Sequence, residues 1–167
     1  MSLDDITAGA EAARNTIDST KSEALNAMSE ASSLAQDAAG RGWEGVARAV
    51  QAVRDNLEAA VAGLDGARDA VDGASEGAAA VKDTMSPREI AARLDKVLAQ
   101  ISQADIAIGA ASTSCDEAYA NAQQAEADRL TSAVNAVISS LRAAQTSLAD
   151  TKHKTETEQQ QAASWGN

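Results

Sequence analysis

This 167-residue sequence contains one histidine, His153, and one cysteine, Cys115, and both residue types often perform catalysis or bind metals. His153 lies between Lys152 and Lys154 in a polar stretch, where we expect a solvated imidazole. Zinc and di-iron sites in helical proteins combine several histidines, cysteines or carboxylates at close helical spacing, such as Glu-x-x-His. A lone histidine does not meet that need, so the sequence predicts no metal site and no cofactor.

Cys115 occupies an apolar position of a helical pattern, which predicts a buried and inert thiol. A catalytic thiol needs a base beside it, and the flanking residues Ser114, Asp116 and Glu117 include no imidazole. No glycine-rich segment follows a predicted strand, so a phosphate-binding loop is excluded as well. The sequence therefore contains no catalytic constellation, and we expect a protein that is not an enzyme.

The acidic residues outnumber the basic ones by 25 to 14, for a net charge of −11. Nucleic-acid binding requires clustered Lys and Arg, so this balance argues against a nucleic-acid partner and against anionic membrane surfaces. Some carboxylates recur at a helical spacing of four and three: Asp65, Asp69, Asp72 and Glu76. We expect these four carboxylates to form a solvated helix face, with Arg68 and Lys82 offering modest surface pairs.

Small apolar residues recur at alternating spacings of four and three in four segments: 6–38, 43–85, 90–125 and 130–148. This spacing predicts amphipathic helices rather than strands. The chain has no Phe and one Pro, and alanine supplies much of the apolar content. We therefore predict an all-α fold, an antiparallel four-helix bundle or coiled coil with a thin core and close helix contacts.

A shift of 84 residues lays Ile6 on Ile90 and Ile17 on Ile101. It also lays segment 49–64 on 133–148, with matches that include Val50, Val53, Leu57 and Leu64. Alanine-rich helices also match by chance, but a duplicated helical hairpin is the preferred interpretation. It predicts a first hairpin over 1–85, a second over 86–150 and a polar, frayed tail over 151–167.

Local signals place the ends of these helices. Gly40-Arg41-Gly42 is typical of a helix C-terminus, and Ser86-Pro87-Arg88-Glu89 predicts a helix start with a capping box. The third reversal, near 121–128, is weakly marked. The second segment contains several glycines, Gly63, Gly66, Gly73 and Gly77. They are interpreted as tolerated surface glycines. The alternatives are that another helix approaches closely there, or that the C-terminal half of this helix is weakened and becomes ordered only with a partner.

The first reversal reads Gly42-Trp43-Glu44-Gly45. We expect the Trp43 indole to cover the end of a thin bundle and Gly45 to remove a side chain that would obstruct the bend. A Trp-x-Gly turn about forty residues from the N-terminus resembles the WXG family of helical-hairpin proteins, over about the first half of the chain. The resemblance implies pairing into four-helix assemblies and export by the type VII secretion system. The export motif of that family is a Tyr followed four residues later by an acidic residue. This sequence does not match it, because the residue four positions after Tyr119 is Gln123.

The sequence thus predicts a non-enzymatic protein–protein interaction module, a WXG-like partner, adaptor or substrate of a secretion or toxin-delivery system. The interaction residues are Trp43 and Gly45, with Trp165 as a possible anchor in the tail. The partner is another helical protein or a second copy of this chain. The alternative is a structural coiled coil that assembles into a particle or filament, and a lipid- or granule-surface protein is a third class. No apolar run reaches the roughly 20 residues of a membrane span, and no classical signal peptide is evident. We expect a cytoplasmic protein, or one secreted by a route that needs no signal peptide.

Overall fold

A computed structural model describes residues 3–165 of the chain. It contains four α-helices, α1 (Leu3–Gly40), α2 (Glu44–Ala79), α3 (Pro87–Gln124) and α4 (Asp128–Trp165). Short segments connect them at 41–43, 80–86 and 125–127. At a rise of about 1.5 Å per residue, each helix is between roughly 50 and 60 Å long. None of these helices within 3–165 combines the length and the apolarity that crossing a membrane requires.

The helices form an antiparallel four-helix bundle, as the sequence predicts. Each helix packs against its two neighbours, in the pairs α1/α2, α2/α3, α3/α4 and α4/α1, and the α2/α3 contact is the most extensive. The reversals 41–43 and 125–127 lie together at one end, which we call the turn end. Segment 80–86 and the first described residues of α1 lie at the other end, which we call the linker end.

A single core runs along the bundle and is built from the predicted seams of all four helices. Its largest fully buried side chains are Ile and Leu, spaced by alanines that allow the helices to approach one another. The predicted start of α3 is also confirmed. Ser86 and Glu89 form the reciprocal capping box, with the Ser86 backbone N–H donating to the Glu89 carboxylate at 2.8 Å and Pro87 in the first turn.

The helix bounds repeat with the 84-residue shift seen in the sequence. The first residues of α3 and α4 lie 84 positions after those of α1 and α2, and the last residue of α3 lies 84 positions after that of α1. Every buried position of α1 has a buried counterpart in α3, and every buried position of α2 has one in α4. The two hairpins therefore place equivalent positions in the core, as expected of a duplicated unit.

The prediction of a frayed tail from residue 151 is wrong for 151–165, because α4 continues to Trp165. The core face of this segment consists of Thr151, Thr155, Glu158 and Ala162, all of them buried. Threonine interrupts an apolar pattern, yet it satisfies its own hydroxyl inside a helix. Thr155 Oγ1 donates to the Thr151 carbonyl at 2.8 Å, and Thr151 Oγ1 donates to the Ser147 carbonyl at 2.8 Å. Gly166 and Asn167, also assigned to the tail, lie outside the described residues.

A row of ion pairs joins α1 to α2, and two carboxylates of the expected solvated face, Asp65 and Asp72, take part in it while they remain partly exposed. The pairs are Arg14–Asp72 at 3.2 Å, Arg68–Asp18 at 3.0 Å and Lys21–Asp65 at 2.6 Å. The charges alternate along both helices, so sliding one helix by a turn would place like charges opposite each other. Each half-exposed pair contributes little stability, about 0.2–1 kcal/mol, but the alternation favours this register of the first hairpin.

Close approach, rather than tolerance at the surface, accounts for Gly63 and Gly77 on α2. A Cβ atom on Gly63 would lie 3.1 Å from the Ala107 carbonyl oxygen, and one on Gly77 would lie 3.0 Å from Val97 Cγ2. Both neighbours belong to α3, so these glycines permit the extensive α2/α3 contact. Gly66 faces open space, as the surface interpretation expected.

Candidate interaction surface at the turn end

The reversal between α1 and α2 is a Schellman motif centred on Gly42. The Trp43 N–H donates to the Ala38 carbonyl at 2.9 Å, and the Gly42 N–H donates to the Ala39 carbonyl at 3.0 Å. Gly42 has φ +75°, in the left-handed region that glycine adopts without steric cost. The motif fixes the direction in which the chain leaves α1 and places Trp43 immediately before the first residue of α2.

The reversal between α3 and α4 repeats this motif 84 residues later. The Ala127 N–H donates to the Ala122 carbonyl at 3.1 Å, and the Glu126 N–H donates to the Gln123 carbonyl at 3.0 Å. Glu126 has φ 55°, so a glutamate occupies the conformation that Gly42 holds in the first turn. Ala127 is the counterpart of Trp43, and the two turns therefore offer a direct internal comparison.

Much of the apolar surface of Trp43 is not buried by the turn. Its side chain is 54% exposed, whereas the methyl group of Ala127 is half-buried against the core at the equivalent position. Trp43 makes no side-chain cap to α2, and its ring contacts the Arg41 guanidinium, whose Cζ lies 5.1 Å from the ring centroid. The expected role as an end cover therefore accounts for only part of the indole.

Gly45 does not have the steric role that its position in the Trp-x-Gly sequence suggested. A Cβ atom there would meet nothing within 4 Å, and the positive φ of the turn belongs to Gly42. Its counterpart in α4 is Arg129, so the same position accepts a long side chain. The bend is made by Gly42, two residues before the start of α2.

A continuous groove lies between the two turns. One part, of about 370 Å³, is lined by the C-terminal end of α1 and the first turn of α4; the adjoining part, of about 410 Å³, is lined by both reversals. The two parts share Leu34, Asp37 and Ala127. Trp43 forms a wall of the second part. We call this surface, from Glu30 to Trp43 on one side and from Ala125 to Leu130 on the other, the turn-end groove.

The floor of the turn-end groove is apolar and its edges are mainly acidic. Leu34 and Ala127 are partly buried against the core and leave apolar surface in the groove. The edges carry carboxylates from Glu30, Asp37, Glu126 and Asp128. Glu30 pairs with Arg129 at 3.5 Å, although the Arg129 side chain is 94% exposed.

Trp165, the other predicted anchor, lies far from Trp43. It ends α4, a helix that begins at the turn end and runs for 38 residues toward the linker end, and its side chain is 66% exposed. The structure therefore does not bring the two tryptophans into one site. His153 is exposed on α4. Within residues 3–165 no group of His, Cys, Asp and Glu side chains is arranged to hold a metal ion.

Cys115 is fully buried on the core face of α3, as the sequence predicts. Burial, with a smaller effect from the neighbouring Asp116 carboxylate, raises the pKa of the thiol to about 11. The thiolate is the nucleophilic form, so the thiol is unreactive near neutral pH. Two exposed indoles, Trp43 and Trp165, and the turn-end groove are prominent features of the described surface.

Comparison of the chain with protein-family models, with curated proteins and with solved structures gives no match.

Proposed function

We propose that this protein is a non-enzymatic interaction module that binds another helical protein through the turn-end groove. The observation that carries the proposal is the difference between two equivalent turns. In the second turn this backbone position holds Ala127, whose methyl group packs against the core. In the first turn the same position holds the half-exposed indole of Trp43. An aromatic side chain beside an apolar groove is the usual anchor of a protein interface.

The Trp-x-Gly turn and the duplicated hairpin support a narrower form of the proposal, in which the protein is a WXG-like partner, adaptor or substrate of a secretion or toxin-delivery system. Gly45 takes a different role in this proposal from the one expected of it. A Cβ atom on Gly45 would meet nothing in the bundle, so the bundle itself does not require a glycine there. In this proposal the missing side chain leaves space beside Trp43 for a partner.

The experiment is affinity capture from cells of the source organism, with the wild-type protein, Trp43→Ala and Trp165→Ala as parallel baits. We expect a helical partner that is recovered by the wild-type protein and by Trp165→Ala but is lost with Trp43→Ala. Alanine suits the turn, as Ala127 shows, so circular dichroism of the variant should match the wild-type spectrum. Equal recovery by all three baits would refute a role for the turn end.

Light scattering over a range of concentrations tests the structural alternative on the same samples. A discrete monomer or dimer at every concentration is expected of an interaction module. Growth without a limiting size would instead support a coiled coil that assembles into particles or filaments.

A further inference from the structure

Building on the proposed function, we infer that the turn-end groove binds a basic amphipathic helix, one that places an apolar side chain against Trp43 and Leu34 and lysine or arginine side chains against the surrounding carboxylates. The inference rests on the distribution of charge around the groove. It names the chemistry of the partner, which the proposed interaction role leaves open.

The two cations of the groove are already engaged within the protein. Arg41 lies over the Trp43 ring at 5.1 Å, and Arg129 pairs with Glu30 at 3.5 Å. Three carboxylates at the edge, those of Asp37, Glu126 and Asp128, take part in none of the ion pairs described over residues 3–165. Four carboxylates and two guanidinium groups line the groove, so it carries a net negative charge beside its apolar surface.

The rest of the molecule strengthens this preference. Residues 1–83 hold 15 acidic and 7 basic side chains, against 10 and 7 in residues 84–167. The first hairpin, which supplies Trp43 and Asp37, thus carries most of the excess negative charge. Such a field attracts a cationic partner and repels an acidic one.

Arg41 lies over the Trp43 ring, yet the Trp43 side chain remains 54% exposed. An apolar partner residue that packs on the remaining indole surface also covers Leu34, while basic partner residues lie against the carboxylates. A helix that alternates apolar and basic faces presents both chemistries at once.

The test uses an 18-residue helical peptide with leucine on one face and lysine and arginine on the other, compared with the same peptide carrying glutamate at its basic positions. The protein carries Trp165→Phe, so that Trp43 is the only indole. We expect a blue shift of Trp43 fluorescence with the basic peptide and none with the acidic one. Trp43→Ala, followed by anisotropy of a labelled peptide, should weaken binding at least tenfold.

Charge removal at the groove is then compared with the same chemical change elsewhere. Asp37→Asn with Glu126→Gln should weaken binding by about three- to tenfold. The matched control is Asp69→Asn with Glu58→Gln, two exposed residues on the outer face of α2, and it should change binding by less than about twofold. An equal effect of both pairs would mean general attraction to an acidic protein and would overturn the inference, as would binding of the acidic peptide or an unmoved Trp43 spectrum.

The two proposals fail separately. If a cellular partner depends on Trp43 but the basic peptide does not bind, the interaction role stands and the inference about a basic helix is wrong. If capture does not depend on Trp43, the proposed function is wrong, whatever the peptide does.

Discussion

Glu126 occupies a backbone conformation that costs stability, and this gives the sharpest test of the duplicated turns. Its φ is 55°, in the left-handed region where a Cβ atom crowds the backbone by about 1–2 kcal/mol. Glycine removes that strain but loses about 0.4–1 kcal/mol more chain entropy on folding. We therefore expect Glu126→Gly to raise the free energy of unfolding by about 1 kcal/mol, with the melting temperature rising by roughly 2–4 °C.

The assay is urea denaturation followed by far-UV circular dichroism, with two controls that separate backbone strain from charge. Glu126→Ala removes the same carboxylate but keeps the Cβ atom, so its stability should stay near that of the wild-type protein. Glu117→Gly makes the same substitution at an exposed position inside α3, where glycine costs about 0.5–1 kcal/mol. One substitution should therefore stabilise at position 126 and destabilise at position 117.

The first turn provides the reciprocal experiment. Gly42 has φ +75° at the equivalent position, so Gly42→Ala should lower the free energy of unfolding by about 1 kcal/mol. A Glu126→Gly variant no more stable than Glu126→Ala would refute the reasoning, because the gain could then be assigned to removal of negative charge. So would a Gly42→Ala variant as stable as the wild-type protein.

Three further predictions concern stability and reactivity. Gly45→Ala should stabilise the protein by about 0.5 kcal/mol in urea denaturation, since a Cβ atom there meets nothing; a loss of stability would show a steric role for this glycine. Thr155→Val should stabilise the protein by about 1 kcal/mol, because Val71 fills the equivalent place in α2 and the Thr151 carbonyl keeps its backbone hydrogen bond in the helix; any loss of stability would mean that the Thr155 hydroxyl is needed. Cys115 should react with iodoacetamide at pH 8 only as fast as the protein unfolds, because it is buried and its pKa is raised to about 11, and rapid labelling of the folded protein would contradict this.

Because the pKa of Cys115 is raised in the folded protein, we also expect the free energy of unfolding to depend on pH. An acid whose pKa is higher in the folded state binds its proton more tightly there, so the stability it contributes is present at neutral pH and declines between pH 9 and about 11. Comparison with Cys115→Ala isolates this contribution from the titration of lysines. The counterpart of Cys115 in the first hairpin is Ala31, which shows that alanine fits the same core layer.

Several features of the candidate surface were predictable only in part. The Trp-x-Gly turn identified Trp43 as a surface residue of interest, and the structure adds that the equivalent turn manages with alanine. The role given to Gly45 was wrong, because a glycine near a bend need not be the residue that makes it. The 84-residue shift contained a signal that would have corrected the tail, since it lays Thr155 and Ala162 on Val71 and Ala78 of a core seam.

The sequence by itself determined the four helices, their core faces, the repeat and the capped start of α3, because helical periodicity and capping depend on residues within a few turns of one another. Tertiary structure alone decided which helices are neighbours, and with it the α1/α2 ion pairs, the close contact at Gly63 and the groove beside Trp43. These features arise from segments distant in sequence whose separation is set by packing. No pattern along one helix measures the distance to the next.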